Sequence, residues 1–219
     1  MSAHRDPQSR PDPSQKRLSH SLKRAIDIFG GAVLLAVTSP VIAAIAVAIR
    51  VSDGPPVLFR QRRPGRDEVL FTMYKFRTMR SPRHGEDIYR TDAERVTRVG
   101  VFLRRTSLDE LPELVNVVKG EMSLVGPRPL LVEYLPHYSD THRGRHLVRP
   151  GVTGLAQVSG RRHLTLSQRL DLDVKYVDEW SPLLDLKILL RTLAAPFTSG
   201  PDESQSLEAV DDLGFMNDG

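Results

Sequence analysis

The sequence predicts an α+β fold, mainly helical, with an apolar helix-break-helix anchor ahead of a small domain built on a short β-hairpin. Three observations carry this. No charged residue occurs between Ile28 and Ile49. Two β-rich runs, Val57–Phe59 and Val69–Tyr74, flank a Pro64-Gly65 turn signal. Beyond residue 107, Leu and Val recur at helical spacing.

The apolar run is long enough to cross a bilayer core as one straight helix. Pro40 interrupts it. Proline lacks an N–H and clashes with the preceding turn, so the helix should bend or break at Ser39-Pro40. Basic residues flank both ends: Lys16, Arg17, Lys23 and Arg24 before, Arg50, Arg60, Arg62 and Arg63 after. Lys/Arg-rich flanks stay on the cytoplasmic side, so both ends are expected on one face. A re-entrant hairpin satisfies this, each arm being about 11 residues and about 16 Å long. A kinked spanning helix and a buried core helix are the alternatives. The Ala36 carbonyl loses its donor to Pro40, and Thr38 and Ser39 carry the nearest hydroxyls that could replace it.

Four segments follow. Residues 1–20 are polar and should be disordered, and 21–50 form the anchor. Residues 51–200 form the working domain, and 201–219 an acidic solvated tail with no Lys or Arg. The stretch Arg77–Thr97 is charged and non-periodic, a loop or mobile helix. Helices are expected over Leu108–Val118, Leu166–Trp180 and Leu183–Leu193. The last sets Leu183, Leu186, Leu190 and Leu193 on one stripe beside Lys187 and Arg191. That stripe suits either a membrane interface or an ordinary core. A formal charge of +4 fits an anionic partner, whether nucleic acid, lipid headgroup or phosphorylated substrate. The absence of cysteine excludes disulfides and thiolate metal sites.

The densest polar stretch runs from Arg104 to Glu113, with Asp109 and Glu110 adjacent. Ser107 and Glu110 fit a capping box, which needs no chemistry to explain it. A functional reading is also open. A positive helix end, with Arg104 and Arg105 close in sequence, should keep Asp109 ionised, and an ionised carboxylate can attack phosphorus. Downstream, Gly126-Pro127-Arg128-Pro129 fixes one arginine between two prolines, either a stiff turn or a phosphate-binding fork. Arg149 to Arg162 combines three glycines with arginines, as an anion cradle would. Lys75, Arg77, Arg104, Arg128 and Arg161 could converge on one cationic cleft.

The motifs KRAIDI, the Ser-Pro break, KFRTM, SLDELPEL, NVVKGEMSLVGPRPLLVEYL and RPGVTGLAQVSGR occur in order from about Lys23 to Thr192. Their succession resembles the bacterial sugar transferases, the small monotopic phosphoglycosyl transferases. The resemblance implies a re-entrant helix, broken at Ser39-Pro40, that anchors a small catalytic domain to the cytoplasmic face of the bacterial inner membrane. It implies transfer of a sugar phosphate from a UDP-sugar to a polyprenyl phosphate, with release of UMP. Asp109 and Glu110 match the family's catalytic dyad, with Asp109 the nucleophile. Lys75, Arg104, Arg128 and Arg161 match its substrate-binding basic positions. Mg²⁺ is the implied cofactor, bound at Asp109 and Glu110. Inner-membrane lipid is an implied partner and nucleic acid is not. The oligomeric state stays open, a homodimer included, as do the UDP-sugar and the glycan pathway. A non-catalytic module for anionic lipid and a membrane-attached phosphohydrolase are the competing readings.

Overall fold

A computed structural model describes residues 13–82, 92–160 and 164–198. Its first helix, α1, spans Pro13–Ser52. It therefore starts inside the stretch expected to be unstructured; residues 1–12 and the acidic tail lie outside the described residues. Helical structure continues through Pro40, so the two expected arms form one element. The lost donor is replaced as the sequence suggests: Ser39 Oγ donates to the Ala36 carbonyl at 2.7 Å, and Thr38 Oγ1 to that of Leu34 at 2.7 Å. Within α1, Ser21–Ser52 is long and apolar enough to cross a membrane, yet only 11% of its most apolar window is buried. That excludes a core helix and leaves an apolar surface suited to membrane association.

The hairpin follows. Strand β1 (Leu58–Pro64) pairs antiparallel with β2 (Leu70–Phe76), joined by a short 3₁₀ turn at Arg66–Glu68. Both strands run past the apolar runs: β1 continues through Arg60, Arg62 and Arg63, opposite Tyr74, Thr72 and Phe71, and β2 through Lys75 and Phe76, opposite Phe59 and Leu58. Next come α2 (Asp92–Arg95) and α3 (Arg98–Thr106). Thr97 caps α3 by accepting from Gly100 N. Gly100 lets α3 touch the chain after β2, since a Cβ there would stand 2.0 Å from the Thr78 carbonyl oxygen. This helix was not expected; its arginine-rich sequence hides the apolar face at Val99 and Leu103.

Helix α4 (Glu113–Lys119) leads into β3 (Ser123–Val125), then α5 (Asp140–Arg143), β4 (Gly151–Thr153), α6 (Leu155–Ser159), α7 (Leu166–Glu179) and α8 (Pro182–Thr198). Strands β3 and β4 pair in parallel. The main core gathers Phe71 and Met73 of β2, Leu114 and Val117 of α4, Leu124 and Val125 of β3, Tyr176 of α7 and Ile188 of α8. A second cluster joins Ile45 and Ile49 of α1 to Phe76 and Leu103. Helix α8 buries Ile188, while Leu183, Leu186, Leu190 and Leu193 are exposed. The leucine stripe thus points away from the core.

Candidate active site

Three segments build the site, and local chemistry sets each. Ser107 ends α3 in the left-handed conformation, φ 56°, rare for a residue with a side chain. Its side chain caps nothing, so the Ser107/Glu110 capping box is not formed. The chain instead turns sharply into a 3₁₀ turn, Leu108–Glu110, and Asp109 and Glu110 reach a cleft. Pro112 stands just ahead of α4, where no N–H is needed. Strand β2 contributes Lys75, which pairs with Phe59 of β1. The loop after β3 contributes Arg128.

That loop explains the glycines. Gly126 N donates to the Thr153 carbonyl and Gly151 N to that of Pro127, both at 2.9 Å. A Cβ on Gly151 would lie 2.1 Å from Gly126 N. Of the three glycines expected to cradle an anion, Gly151 is accounted for otherwise: its N–H is spent on joining β4 to the loop after β3, and its missing Cβ allows the close approach. Arg145 sits beneath this junction. It is 2% exposed. It donates to the Arg128 carbonyl, to Tyr138 Oη at 3.2 Å and to Asp173 Oδ2 at 2.6 Å.

The two members of the dyad differ. Glu110 Oε1 accepts from Lys75 Nζ at 2.8 Å and from Arg128 Nη2 at 2.6 Å. Burial raises its pKa, but Arg128 and Lys75 outweigh that and hold it down at about 2. Among the described residues, nothing hydrogen-bonds or ion-pairs with Asp109. Its pKa is raised by burial and by Glu110, against the pull of Lys75, Arg128 and Arg104. The positive groups expected to keep Asp109 ionised do pull its pKa down, but burial and the Glu110 charge set the net direction. The outcome is a half-buried, unpaired and more basic carboxylate beside a clamped one.

Glu113 has a part that the sequence reading missed. It is 1% exposed, and Lys75 Nζ lies 3.1 Å from its Oε1. Burial and the Glu110 charge push its pKa up to about 7. Its place three residues after Glu110, on the same helical side, was the available signal. Arg104 lines the cleft and donates to Thr78 Oγ1 at 3.0 Å. Arg77 also lines it, but its guanidinium grips the carbonyls of Asp53, Gly54 and Pro55. Arg161 lies outside the described residues. The cleft measures about 1380 Å³, and Arg60, Arg63, Lys75, Arg104, Arg128 and Arg169 outnumber the acids Asp109, Glu110, Glu113 and Glu133 on its walls.

A hard cation such as Mg²⁺ takes one or two carboxylates and completes its shell with phosphate oxygens and water. No cluster of three metal-binding side chains occurs among the described residues. Asp109 offers an unpaired carboxylate, while Glu110 has committed Oε1 to Lys75 and Arg128. The pair fits a cation held jointly with a phosphorylated ligand and does not fit an all-protein cage.

A cationic cleft around one unpaired carboxylate is suited to phosphorylated groups. Comparison with known proteins gives the same class. Residues 18–199 match the bacterial sugar transferase family. The "Uncharacterized sugar transferase EpsL" of Bacillus subtilis (strain 168) is 47% identical over 172 residues, 78% of this chain and 85% of the relative. The UDP-glucose:undecaprenyl-phosphate glucose-1-phosphate transferase of Caulobacter vibrioides is 42% identical over 187 residues, covering 81% and 70%. The protein of the same name from Escherichia coli K12 is 42% identical over 188 residues, 81% of this chain but 40% of that longer protein. The chain belongs to the bacterial sugar transferase family.

Proposed function

We propose that the protein transfers a sugar-1-phosphate from a UDP-sugar to a polyprenyl phosphate, with Asp109 carrying the phosphosugar between them. The observation that carries this is the division within the dyad: Asp109 is free to react, while Lys75 and Arg128 clamp Glu110. The names of the Caulobacter and Escherichia relatives support the donor and acceptor classes.

In the first step an Asp109 carboxylate oxygen attacks the β-phosphorus. The bond from that phosphorus to the bridging oxygen breaks, and UMP leaves with the oxygen and its electron pair. In the second step an oxygen of the lipid phosphate attacks the same phosphorus. The Asp109 oxygen–phosphorus bond breaks, the carboxylate returns, and a polyprenyl diphosphosugar is formed. Lys75 and Arg128 supply fixed positive charge beside the transferred group. Mg²⁺, held by Asp109 and Glu110, would neutralise charge on the diphosphate when bound. The test is UMP release from a panel of UDP-sugars. Release is expected only with added polyprenyl phosphate, beyond one equivalent per enzyme. Continuous lipid-independent release would mean a hydrolase, and no release at all a binding module.

We infer a re-entrant, one-faced attachment of α1 to the cytoplasmic leaflet of the inner membrane. Before Pro40, Lys23 Nζ donates to Asp185 at 2.6 Å, and Arg24 donates to the Val117 and Val118 carbonyls. After Pro40, Ile45 and Ile49 pack on Phe76 and Leu103. Both sides of the proline therefore touch one charged domain that cannot enter hydrocarbon. The opposite face exposes Phe29, Val37 and Val47. The outward stripe of α8, with Lys187 and Arg191 on the same helix, suits the headgroup region. A cysteine placed at Leu22, the only thiol in the chain, should resist an impermeant reagent outside intact cells. Labelling from outside would mean a spanning helix.

Glu113 predicts a pH effect. As pH rises through about 7, Glu113 ionises and adds negative charge beside Glu110. The KM for UDP-sugar should then rise several-fold between about pH 6 and pH 8, and Glu113→Gln should flatten the profile. An unchanged slope in that variant would remove Glu113 from the site. The stability signs are opposite for the two acids. Glu113 stabilises most below its ordinary value of 4.5 and loses this as pH rises through about 7. Glu110 stabilises above 4.5 and loses this as pH falls through about 2.

A further inference from the structure

The cleft has two ends that differ in their distance from the anchor. At one end, Leu58 and Val57 pack with Ile45 and Ile49 of α1, as do Phe76 and Leu103. Arg104 directly follows Leu103, and Thr78 lies two residues after Phe76, so their hydrogen bond lies at this end. Phe59, 45% exposed, lines it as well. Arg63 is five positions beyond Leu58, about 17 Å along the strand. Arg169 of α7 and Tyr134 line the cleft with it.

At this far end the positive charge is under-compensated. Arg63 Nη2 donates to Gln61, which is neutral, at 2.6 Å, and its Nε is buried without a partner. Among the described residues, Arg169 spends only Nε, donating to the Leu164 carbonyl at 3.1 Å. Burial and the charge of Arg128 lower the pKa of both, that of Arg63 to about 10. The acids that counter this at Arg63 are Glu133 and Glu113; Glu133 is exposed, and Glu113 is engaged with Lys75. Crowded guanidiniums with spare donors favour a phosphoryl group, which accepts several hydrogen bonds and carries the opposite charge. Arg128 links this end to the dyad. It touches Glu110 and lies close enough to Arg63 and Arg169 to depress their pKa values. Adjacent phosphates of one diphosphate would need that arrangement.

We propose that Arg63 and Arg169 form an anchor-distal subsite for the phosphate that stays on the departing nucleotide, while the Arg104 end admits the lipid phosphate. This rests on the transferase reading above. It assigns the two substrates to opposite ends of one cleft, so that UMP leaves toward the cytosol without crossing the lipid's path. Arg63 lies on the cleft face of β1; Arg62, its exposed neighbour, does not line the cleft.

The experiment is equilibrium dialysis of radiolabelled UMP against the full chain in nanodiscs. Arg63→Gln and Arg169→Gln should each weaken UMP binding roughly 10- to 100-fold, the effect of losing a charged hydrogen bond. Arg62→Gln, which removes the same charge outside the cleft, should change it by less than about twofold. In the full reaction, the KM for polyprenyl phosphate should stay at the wild-type value in both cleft variants. If the glutamine variants do not fold, Arg63→Lys and Arg169→Lys carry the test, since they keep the charge and lose the fork. Unchanged UMP binding in the cleft variants, or no UMP binding by the wild type, overturns the subsite. So does a KM for polyprenyl phosphate that rises as steeply as the UMP dissociation constant. Because dialysis needs no turnover, a wild type that binds UMP through Arg63 and Arg169 but transfers nothing would leave the subsite standing and refute the transferase reading.

Discussion

Asp109→Asn is expected to abolish transfer while leaving the fold and the membrane attachment intact. Loss of a nucleophile typically lowers turnover by ~10⁴- to 10⁶-fold. The stability cost should be small, because no described residue bonds to the Asp109 carboxylate. An isosteric amide also relieves the repulsion with Glu110 that raises the Asp109 pKa. Wild-type enzyme given UDP-sugar alone should gain the mass of one phosphosugar, read by intact-protein mass spectrometry, and Asp109→Asn should gain none. Glu110→Gln separates the two acids. It weakens the bonds that Lys75 and Arg128 make to Glu110 Oε1, so it should slow both adduct formation and its discharge. If an adduct forms on Asp109→Asn, or if wild type shows none and follows single-displacement kinetics, the covalent scheme is wrong.

What the sequence disclosed, and what it hid, follows from the range of the interactions. The hairpin, α7 and α8 were legible because apolar periodicity is a local property. The replacement donor at Pro40 was legible for the same reason, since Ser39 lies three residues from the carbonyl it serves. The convergence of Lys75, Glu110 and Arg128 was legible only through resemblance, because these residues are 35 and 18 positions apart. Helix α3 was missed because its one buried side was masked by Arg98, Arg104 and Arg105. Strands β3 and β4 were missed because three residues each are too few for a pattern. Their pairing reassigned Gly151 from ligand binding to backbone packing. Asp109 shows the limit of neighbour counting: the nearby arginines were visible in the sequence, whereas the burial that joins the adjacent acid in setting the direction of its pKa was not.

Arg145 is where the fold and the site meet, and its loss should be the most costly single change outside the dyad. Its side chain is 1% exposed and that of Asp173 is 3%. Removing one member of a buried ion pair leaves an uncompensated charge and costs about 3–5 kcal/mol. A domain is stabilised by only about 5–15 kcal/mol in total. Arg145→Met should therefore lower the melting temperature by roughly 6–20 °C. Asp173 already has one buried oxygen without a partner, and burial raises its pKa even beside Arg145; without Arg145 it should take up a proton. Adding Asp173→Leu removes the stranded acid. Apolar replacement of a buried pair is commonly neutral or stabilising, so the double variant should regain part of the lost stability. It should not regain activity. The Arg128 carbonyl still lacks the donor that fixes its loop, and Arg128 is the group that clamps Glu110. Melting temperature and turnover, measured on both variants, separate the two roles. Turnover that recovers together with stability would mean that Arg145 serves the fold alone and does not position Arg128.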